Sequence, residues 1–436
     1  PDDATFKQEL FLQKEALNKH IEQTSEHYPR YHQLKFATHI PDLEAIQNKL
    51  QSGENLVEYM QDDTAYYALV LHSQARELVY LANRKRIDAA IENWKTGIVT
   101  QDAPRYASAA KVLYEKLWQP LETHLAGERV TVVPVGALFY LNFETLPVGQ
   151  SYLIQKYNIT YALSFTVLFS EQPTRAQGDL LAIAPGFEDE IKQAYTMELD
   201  SLELPDEDYL RTVRQPWSLK LVDKLRKKFA HAAFTGLRAT EANIKANIHK
   251  GKVLYFGTHA IADPDDPLRS RLVLAKEVGA QVEDGYLHAY ELYGLPLEAE
   301  LAVLNACESG LGNLQKGEGM ISLAYSIHYA GCPSTVLSLW KVDEKVSTQI
   351  TEDFLDFLDQ GLSKSAALRQ SKLNYLASAN ATLQHPFYWG GMVLMGKDGS
   401  VKLGQEGSRW YLWTVFGIIV VGFLGWMVWK RDKRFL

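Results

Sequence analysis

Two side chains in this 436-residue sequence, Cys307 and His259, have types and settings that could do covalent chemistry together. Each follows a short apolar run: Val253-Leu254-Tyr255-Phe256 leads into Gly257-Thr258-His259-Ala260, and Leu301-Ala302-Val303-Leu304 leads into Asn305-Ala306-Cys307-Glu308-Ser309-Gly310. Such runs predict strands buried on both faces. In an open parallel α/β sheet, ligands bind beyond the carboxyl ends of the strands. Strands consecutive in sequence commonly lie side by side, so a histidine and a thiol are expected to face each other across one sheet edge. An imidazole beside a thiol raises its thiolate fraction, and the thiolate can attack a carbonyl carbon while the imidazolium returns a proton to the leaving amine. Taken singly, a cysteine at a strand end is more often core packing, and a loop histidine is commonly a polar cap. The matched placement of the two distinguishes them.

The neighbours of this pair are less specific. Asp263, Asp265 and Asp266 follow His259 closely; they either line a pocket for a basic substrate residue or form a turn with Pro264 and Pro267. The second cysteine, Cys332 in Gly331-Cys332-Pro333, precedes a strand and reads as packing. Neither cysteine sits in a CxxC or Cys/His spacing, so no disulfide framework or metal site is expected, and no cofactor motif is present.

The elements that must position these residues alternate between helix and strand. Residues 4–36 read as an amphipathic helix, the end of a helical repeat array within a helical segment spanning 1–50, and Pro41 to Leu50 as a second short helix. Short apolar runs then predict strands at Leu56–Tyr59, Ala65–Leu71 and Leu78–Leu81. A helix at Tyr106–His124, a strand at Val130–Pro134 and the run Leu153–Leu163 complete an α/β unit over about 51–175. A second unit, 176–396, holds strands at Leu180–Ala184, Val253–Phe256, Leu301–Leu304, Thr335–Leu339 and Met392–Met395. Its helices are expected near Leu219–Phe229, Thr240–His249 with Thr240 as N-cap, Met320–Tyr329, Lys345–Leu358 and Lys364–Ala379. Strands of this kind alternating with helices imply a largely parallel sheet covered on both faces. Glu188 to Asp208, with nine acids and one base, reads as an exposed mobile loop or, alternatively, as a lid or processing site.

Several of these segments resemble the CHAT family, which is caspase-like and related to separase. They are Val253 to His259, Leu-Ala-Val-Leu-Asn-Ala-Cys-Glu-Ser-Gly-Leu-Gly at 301–312, Gly317-Glu318-Gly319-Met320, Ala330-Gly331-Cys332-Pro333, Val336 to Val342 and His385-Pro386-Phe387-Tyr388-Trp389. The resemblance runs from about Gln51 to Gly396. It implies a caspase-like α/β/α sandwich in which 51–175 is an inactive, pseudo-peptidase half and 176–396 the peptidase half. It also implies Cys307 as nucleophile and His259 as catalytic histidine, with Asp343 structural. The family's oxyanion hole is formed by the backbone N–H groups of the nucleophile and of the residue after the histidine, here Cys307 and Ala260. That second residue is usually glycine, and the Cβ of Ala260 narrows its backbone choices.

Composition limits the partners. Trp410 to Trp429 is a run of twenty uncharged residues, about 30 Å as a helix, with Trp410, Tyr411, Trp413, Trp426 and Trp429 at its ends. A linker at 397–409, a single transmembrane helix at 410–429 and a basic tail at 430–436 are expected. The tail carries +3 of a total of −8, leaving residues 1–409 at about −11, which argues against a nucleic-acid partner. Four bases in the tail favour a cytoplasmic C-terminus, with the peptidase outside the cytoplasm; without an upstream export signal the chain would instead be tail-anchored and face the cytoplasm. The function expected is a membrane-anchored cysteine endopeptidase acting on protein substrates and gated by a partner on upstream repeats. The alternative is a catalytically silent caspase-fold scaffold.

Overall fold

The computed structural model describes residues 3–27, 42–170, 176, 178–198, 205–229, 232–263, 265–277, 283–306, 314–315, 319–320 and 323–403. Eleven strands form one sheet: β1 (Glu54–Gln61), β2 (Ala65–His72), β3 (Ala75–Asn83), β4 (Arg129–Val133), β5 (Asn158–Tyr161), β6 (Gly178–Ala184), β7 (Ala232–Thr235), β8 (Gly251–Gly257), β9 (Leu301–Asn305), β10 (Ser334–Ser338) and β11 (Met392–Gly396). Their spatial order is β3-β2-β1-β4-β5-β11-β10-β9-β8-β6-β7, so both α/β stretches share a single sheet. The seam is the parallel pair β5–β11, through Tyr161 and Met395.

Strand direction divides the sheet. β6, β7, β8, β9 and β10 are mutually parallel. β11 turns back antiparallel to β10, and β5, β4 and β1 follow the direction of β11. The carboxyl ends of β4 and β5 therefore point to the sheet edge opposite that of β8 and β9.

Period-two alternation builds the layers. Leu181, Ile183, Leu254, Phe256, Ala302 and Leu304 pack into one buried cluster, while Leu180, Ala182, Val253, Tyr255, Leu301 and Val303 pack into another. The helices that cover the sheet, in chain order after α1 (Asp3–His27), are α2 (Arg84–Val99), α3 (Ala103–Leu113), α4 (Pro216–Lys228), α5 (Glu241–Asn247), α6 (Leu323–Tyr329), α7 (Glu344–Asp359) and α8 (Lys364–Ser378). α4, α7 and α8 cover one face of the second half, and α5 and α6 the other. Each fully buried Leu, Val or Phe contributes about 1.5–3 kcal/mol by leaving water.

The structure differs from the sequence expectations in several places. α2 stands where no helix was expected, although Ile87, Ala90, Ile91, Trp94 and Ile98 recur at helical spacing and Asn83 caps it through Arg86 N. The helix expected over 106–124 ends as α-helix at Leu113 and continues as a π turn, Tyr114–Trp118, and a tight 3-10 segment, Gln119–His124, because Pro120 donates no backbone hydrogen bond. Leu153–Lys156 is a helical turn preceding β5 rather than strand. The acidic stretch is not simply an exposed loop: Asp189–Glu198 and Glu207–Leu210 are helical, and Ile191 and Tyr209 are buried with Phe187, Val273 and Tyr286. Of the helix expected over 4–36, the structure describes Asp3–His27. No helix among the described residues is long and apolar enough to cross a membrane; the run Trp410–Trp429, most of its linker and the basic tail lie outside them.

Candidate active site

β8 and β9 pair in parallel from Val253↔Leu301 to Gly257↔Asn305. His259 stands two residues past Gly257, and position 307 two residues past Asn305. The two chains thus leave neighbouring strands, about 4.8 Å apart, at the same level of the sheet edge. Cys307 itself lies outside the described residues.

The path to His259 is tightly specified. A Cβ at Gly257 would lie 2.7 Å from the Tyr255 hydroxyl and 2.8 Å from Ser218 Cβ, which requires glycine. Thr258 is buried; its hydroxyl donates to the Val273 carbonyl, and its own carbonyl accepts from Gln215 Nε2 at 3.2 Å. The His259 carbonyl accepts from Val273 N at 2.9 Å, which ties the segment to a small antiparallel sheet of Ala260–Ile261, Arg271–Val273 and Tyr286–His288.

The imidazole is oriented by groups with no signature in the sequence. His259 Nε2 lies 2.8 Å from the Val213 carbonyl oxygen. A carbonyl only accepts, so Nε2 carries the proton and Nδ1 keeps its lone pair, the arrangement of a base oriented by a third group. The Phe187 ring rests on the imidazole with centroids 5.1 Å apart. Phe187 takes a left-handed backbone (φ 50°) after Gly186 (φ 76°), whose Cβ would meet Leu219 at 2.4 Å. Burial pushes the His259 pKa below its ordinary value, against the pull of the Val213 hydrogen bond, and the ammonium groups of Lys341 and Lys192 add to the lowering. The net effect favours the neutral imidazole.

The acidic segment holds the Val213 carbonyl in place. Lys192 Nζ donates to the carbonyls of Leu210, at 2.9 Å, and Thr212; Arg214 pairs with Asp189, and Gln215 N donates to Gly186 O at 2.9 Å. The strand-end rule that singled out β8 and β9 applies equally to β6, and would have pointed to Pro185-Gly186-Phe187. Nothing in the sequence marks a main-chain carbonyl 46 residues away from its histidine.

The other candidate residues divide by environment. Asp263 Oδ1 accepts from the backbone N–H groups of Asp265 (3.0 Å) and Asp266 (2.9 Å), and Asp266 caps Leu268 N at 3.2 Å, the hydrogen bonds of a turn. Ala260 pairs with Leu272; among the described non-glycine residues only Gln101 and Phe187 have positive φ, so its Cβ causes no strain. Asp343 is the N-cap of α7, accepting from Val346 N at 2.9 Å. Cys332 is fully buried, its thiol donates to Ser334 O at 3.2 Å, and burial pushes its pKa up to about 12. Glu241, Glu283 and Glu291 could jointly reach a metal ion, but Lys245 Nζ lies among them at 2.7, 2.8 and 2.7 Å and supplies the cation itself. Beyond β10, a cavity of 510 Å³ is walled by Trp94, Ile98, Tyr140, Trp340, Val342 and Phe387, with Lys341 at its rim.

The CHAT domain model matches residues 107–397, about two thirds of the chain. The chain belongs to the CHAT domain family. The match takes in His259 and position 307, and it begins within α3, so β1–β3 of the same sheet and the helix α2 precede it. Over 122 residues, 28% of the chain, it is 30% identical to Tetratricopeptide repeat protein 28 of Mus musculus and 31% identical to that of Homo sapiens. The chain spans 5% of the length of these relatives. A crystal structure of the Saccharomyces cerevisiae separase–securin complex is similar with a TM-score of 0.49 at 10% identity, over 86% of this chain and 33% of that one.

Proposed function

We propose that this CHAT domain protein is a caspase-like cysteine endopeptidase in which Cys307 is the nucleophile and His259 the proton-transfer partner. The observation that supports this reading is the register of β8 and β9, whose last paired residues, Gly257 and Asn305, each stand two positions before His259 and Cys307 in the sequence, with the His259 Nε2 proton held by the Val213 carbonyl. Nδ1 is then the nitrogen that takes the thiol proton. The thiolate attacks the scissile carbonyl, and the imidazolium returns the proton to the leaving amine. The N–H groups of Ala260 and Cys307 serve the oxyanion. An apolar substrate side chain is buried in the cavity beside Trp340.

The full chain in detergent, compared with its Cys307→Ala variant, tests this by cleavage of a peptide library and by labelling with a thiol-directed peptide electrophile. Cleavage and labelling by the parent alone are expected. Identical behaviour of the two proteins would leave the scaffold reading in its place.

Two further parts of the reading concern the termini. α1 exposes Leu10, Phe11, Leu12 and Leu17, an apolar surface suited to helical repeats of the kind named in the curated relatives, through which a partner gates cleavage. The uncharged run 410–429 spans a bilayer with its basic tail in the cytoplasm. A reporter active only in the cytoplasm, fused after Leu436, is expected to give signal; silence would reverse the orientation.

A further inference from the structure

α4 and α7 run side by side in the same direction, joined by a ladder of ion pairs. Lys228 Nζ reaches Asp356 at 2.7 Å and Asp359 at 3.6 Å; one turn towards the helix starts, Lys224 Nζ holds both oxygens of Glu352 at 2.8 and 2.7 Å. From one rung to the next each helix steps by four residues, one helical turn. The next step back pairs Lys220 with position 348, which is a buried threonine whose hydroxyl accepts from Asn305 Nδ2 at 3.3 Å. A second lysine stands there instead of an acid. Lys220 Nζ lies 4.4 Å and Lys345 Nζ 5.3 Å from the centre of the Trp217 ring. Among the described residues neither has a carboxylate within ion-pair distance. Glu344, at the start of α7, is engaged elsewhere: its Oε1 accepts from Trp217 N at 2.8 Å and Ser218 N at 3.0 Å, closing the N-terminus of α4.

Trp217, Lys220, Leu221, Lys345, Thr348 and Gln349 surround a groove of 310 Å³ at this open rung. We propose that the groove docks an acidic segment of a protein partner, with an Asp or Glu side chain completing the ladder between Lys220 and Lys345 and an adjoining apolar group resting on Trp217. Two ammonium groups over one ring repel each other, and a carboxylate between them turns that repulsion into two attractions. The satisfied rungs show the ligand geometry: each is a lysine on a carboxylate. The chain as a whole carries −8, so the site is a local basic patch on an acidic body rather than a general attractor of polyanions. It also adjoins the candidate active site, because Gln215, immediately before α4, donates to the carbonyl of Thr258 beside His259. Binding is read without turnover, so its outcome is independent of the peptidase reading.

The test titrates the full chain in detergent with a rhodamine-labelled peptide of alternating Glu-Glu-Leu units and with its Gln-Gln-Leu counterpart, followed by anisotropy at low salt. The Glu peptide is expected to bind at least tenfold more tightly. The Lys220→Gln/Lys345→Gln variant is expected to lose about tenfold in affinity for it, whereas Lys85→Gln/Lys227→Gln, an equal change in charge away from the groove, retains it. Equal affinity for the two peptides, an unaffected groove variant, or an equal loss in the control pair would each overturn the proposal.

Discussion

The two halves of the sheet are made of the same material and run in opposite directions. In the second half, β8 and β9 end at an edge where Gly257, Thr258 and His259 meet the Phe187 ring and the Val213 carbonyl. In the first half, the residues that follow β4 carry polar groups inward and across the seam. Asn142 Nδ2 donates to Gly390 O at 2.6 Å, the Tyr161 hydroxyl donates to Asn142 Oδ1 at 3.0 Å, and Glu144 pairs with Lys372 of α8, both side chains buried. One half uses its polar residues to hold its neighbour; the other keeps an oriented imidazole at the open edge. Because β11 runs antiparallel to β10, the carboxyl ends of β4 and β5 point away from the edge at which β8 and β9 end. What the first half brings towards that part of the molecule is the wall of the cavity beside Trp340, formed by Trp94 and Ile98 of α2 and by Tyr140.

Four measurements can break or sharpen this contrast. The largest effect is expected from His259→Ala, which lowers peptide cleavage at least about 10³-fold, or about 4 kcal/mol of barrier, while the unfolding midpoint stays near that of the parent. His124→Ala in the first half leaves the rate unchanged. A comparable loss in both would contradict the division of roles.

Next comes the seam. Lys372→Ala leaves Glu144 buried without its cation and is expected to cost about 3–5 kcal/mol in denaturant unfolding. Replacing both partners with Met and Leu recovers most of that loss. If the single variant is as stable as the parent, the ion pair does not bind the halves together.

The third effect belongs to the second half alone. Burial holds the His328 imidazole down to about 4 from an ordinary 6.5, with Lys397 adding to the lowering. The unfolded chain takes up this proton first as pH falls. The His328 contribution is therefore intact above pH 6.5 and declines between 6.5 and 4, by about 3 kcal/mol in all. Stability measured across that window is expected to fall in the parent and to flatten in His328→Leu; equal slopes would refute the assignment.

The smallest effect tests local likeness. Asp343 caps α7 and Asn83 caps α2, one helix in each half, so Asp343→Ala and Asn83→Ala are each expected to cost about 1 kcal/mol in thermal unfolding. A much larger cost at Asp343 would mean that it also acts through the adjoining Trp340 turn.

Some features were legible because they are local. Apolar runs with a period of two or with none identified most strands of the large sheet but missed β7, Thr240 as an N-cap located α5, and glycine after Phe256 together with His259 marked a strand end at a sheet edge. α2 was equally legible from the spacing of Ile87, Ile91, Trp94 and Ile98, yet its basic start, Arg84-Lys85-Arg86, masks the apolar face that follows. The helical turns of the acidic stretch were hidden for another reason. Their charge predicts solvation, but Ile191 and Tyr209 find a core that only the small sheet supplies.

The sequence by itself determined that a histidine and a cysteine follow two buried strands, because burial and turn chemistry act over a few residues. Only the tertiary structure decided that those strands are neighbours in register, that the Val213 carbonyl accepts the N–H of one imidazole nitrogen and leaves the other free of a proton, and that β11 reverses the strand direction between the two halves. Those decisions depend on backbone hydrogen bonds between segments far apart in the chain, and every residue except proline offers the same N–H and C=O groups whatever its side chain.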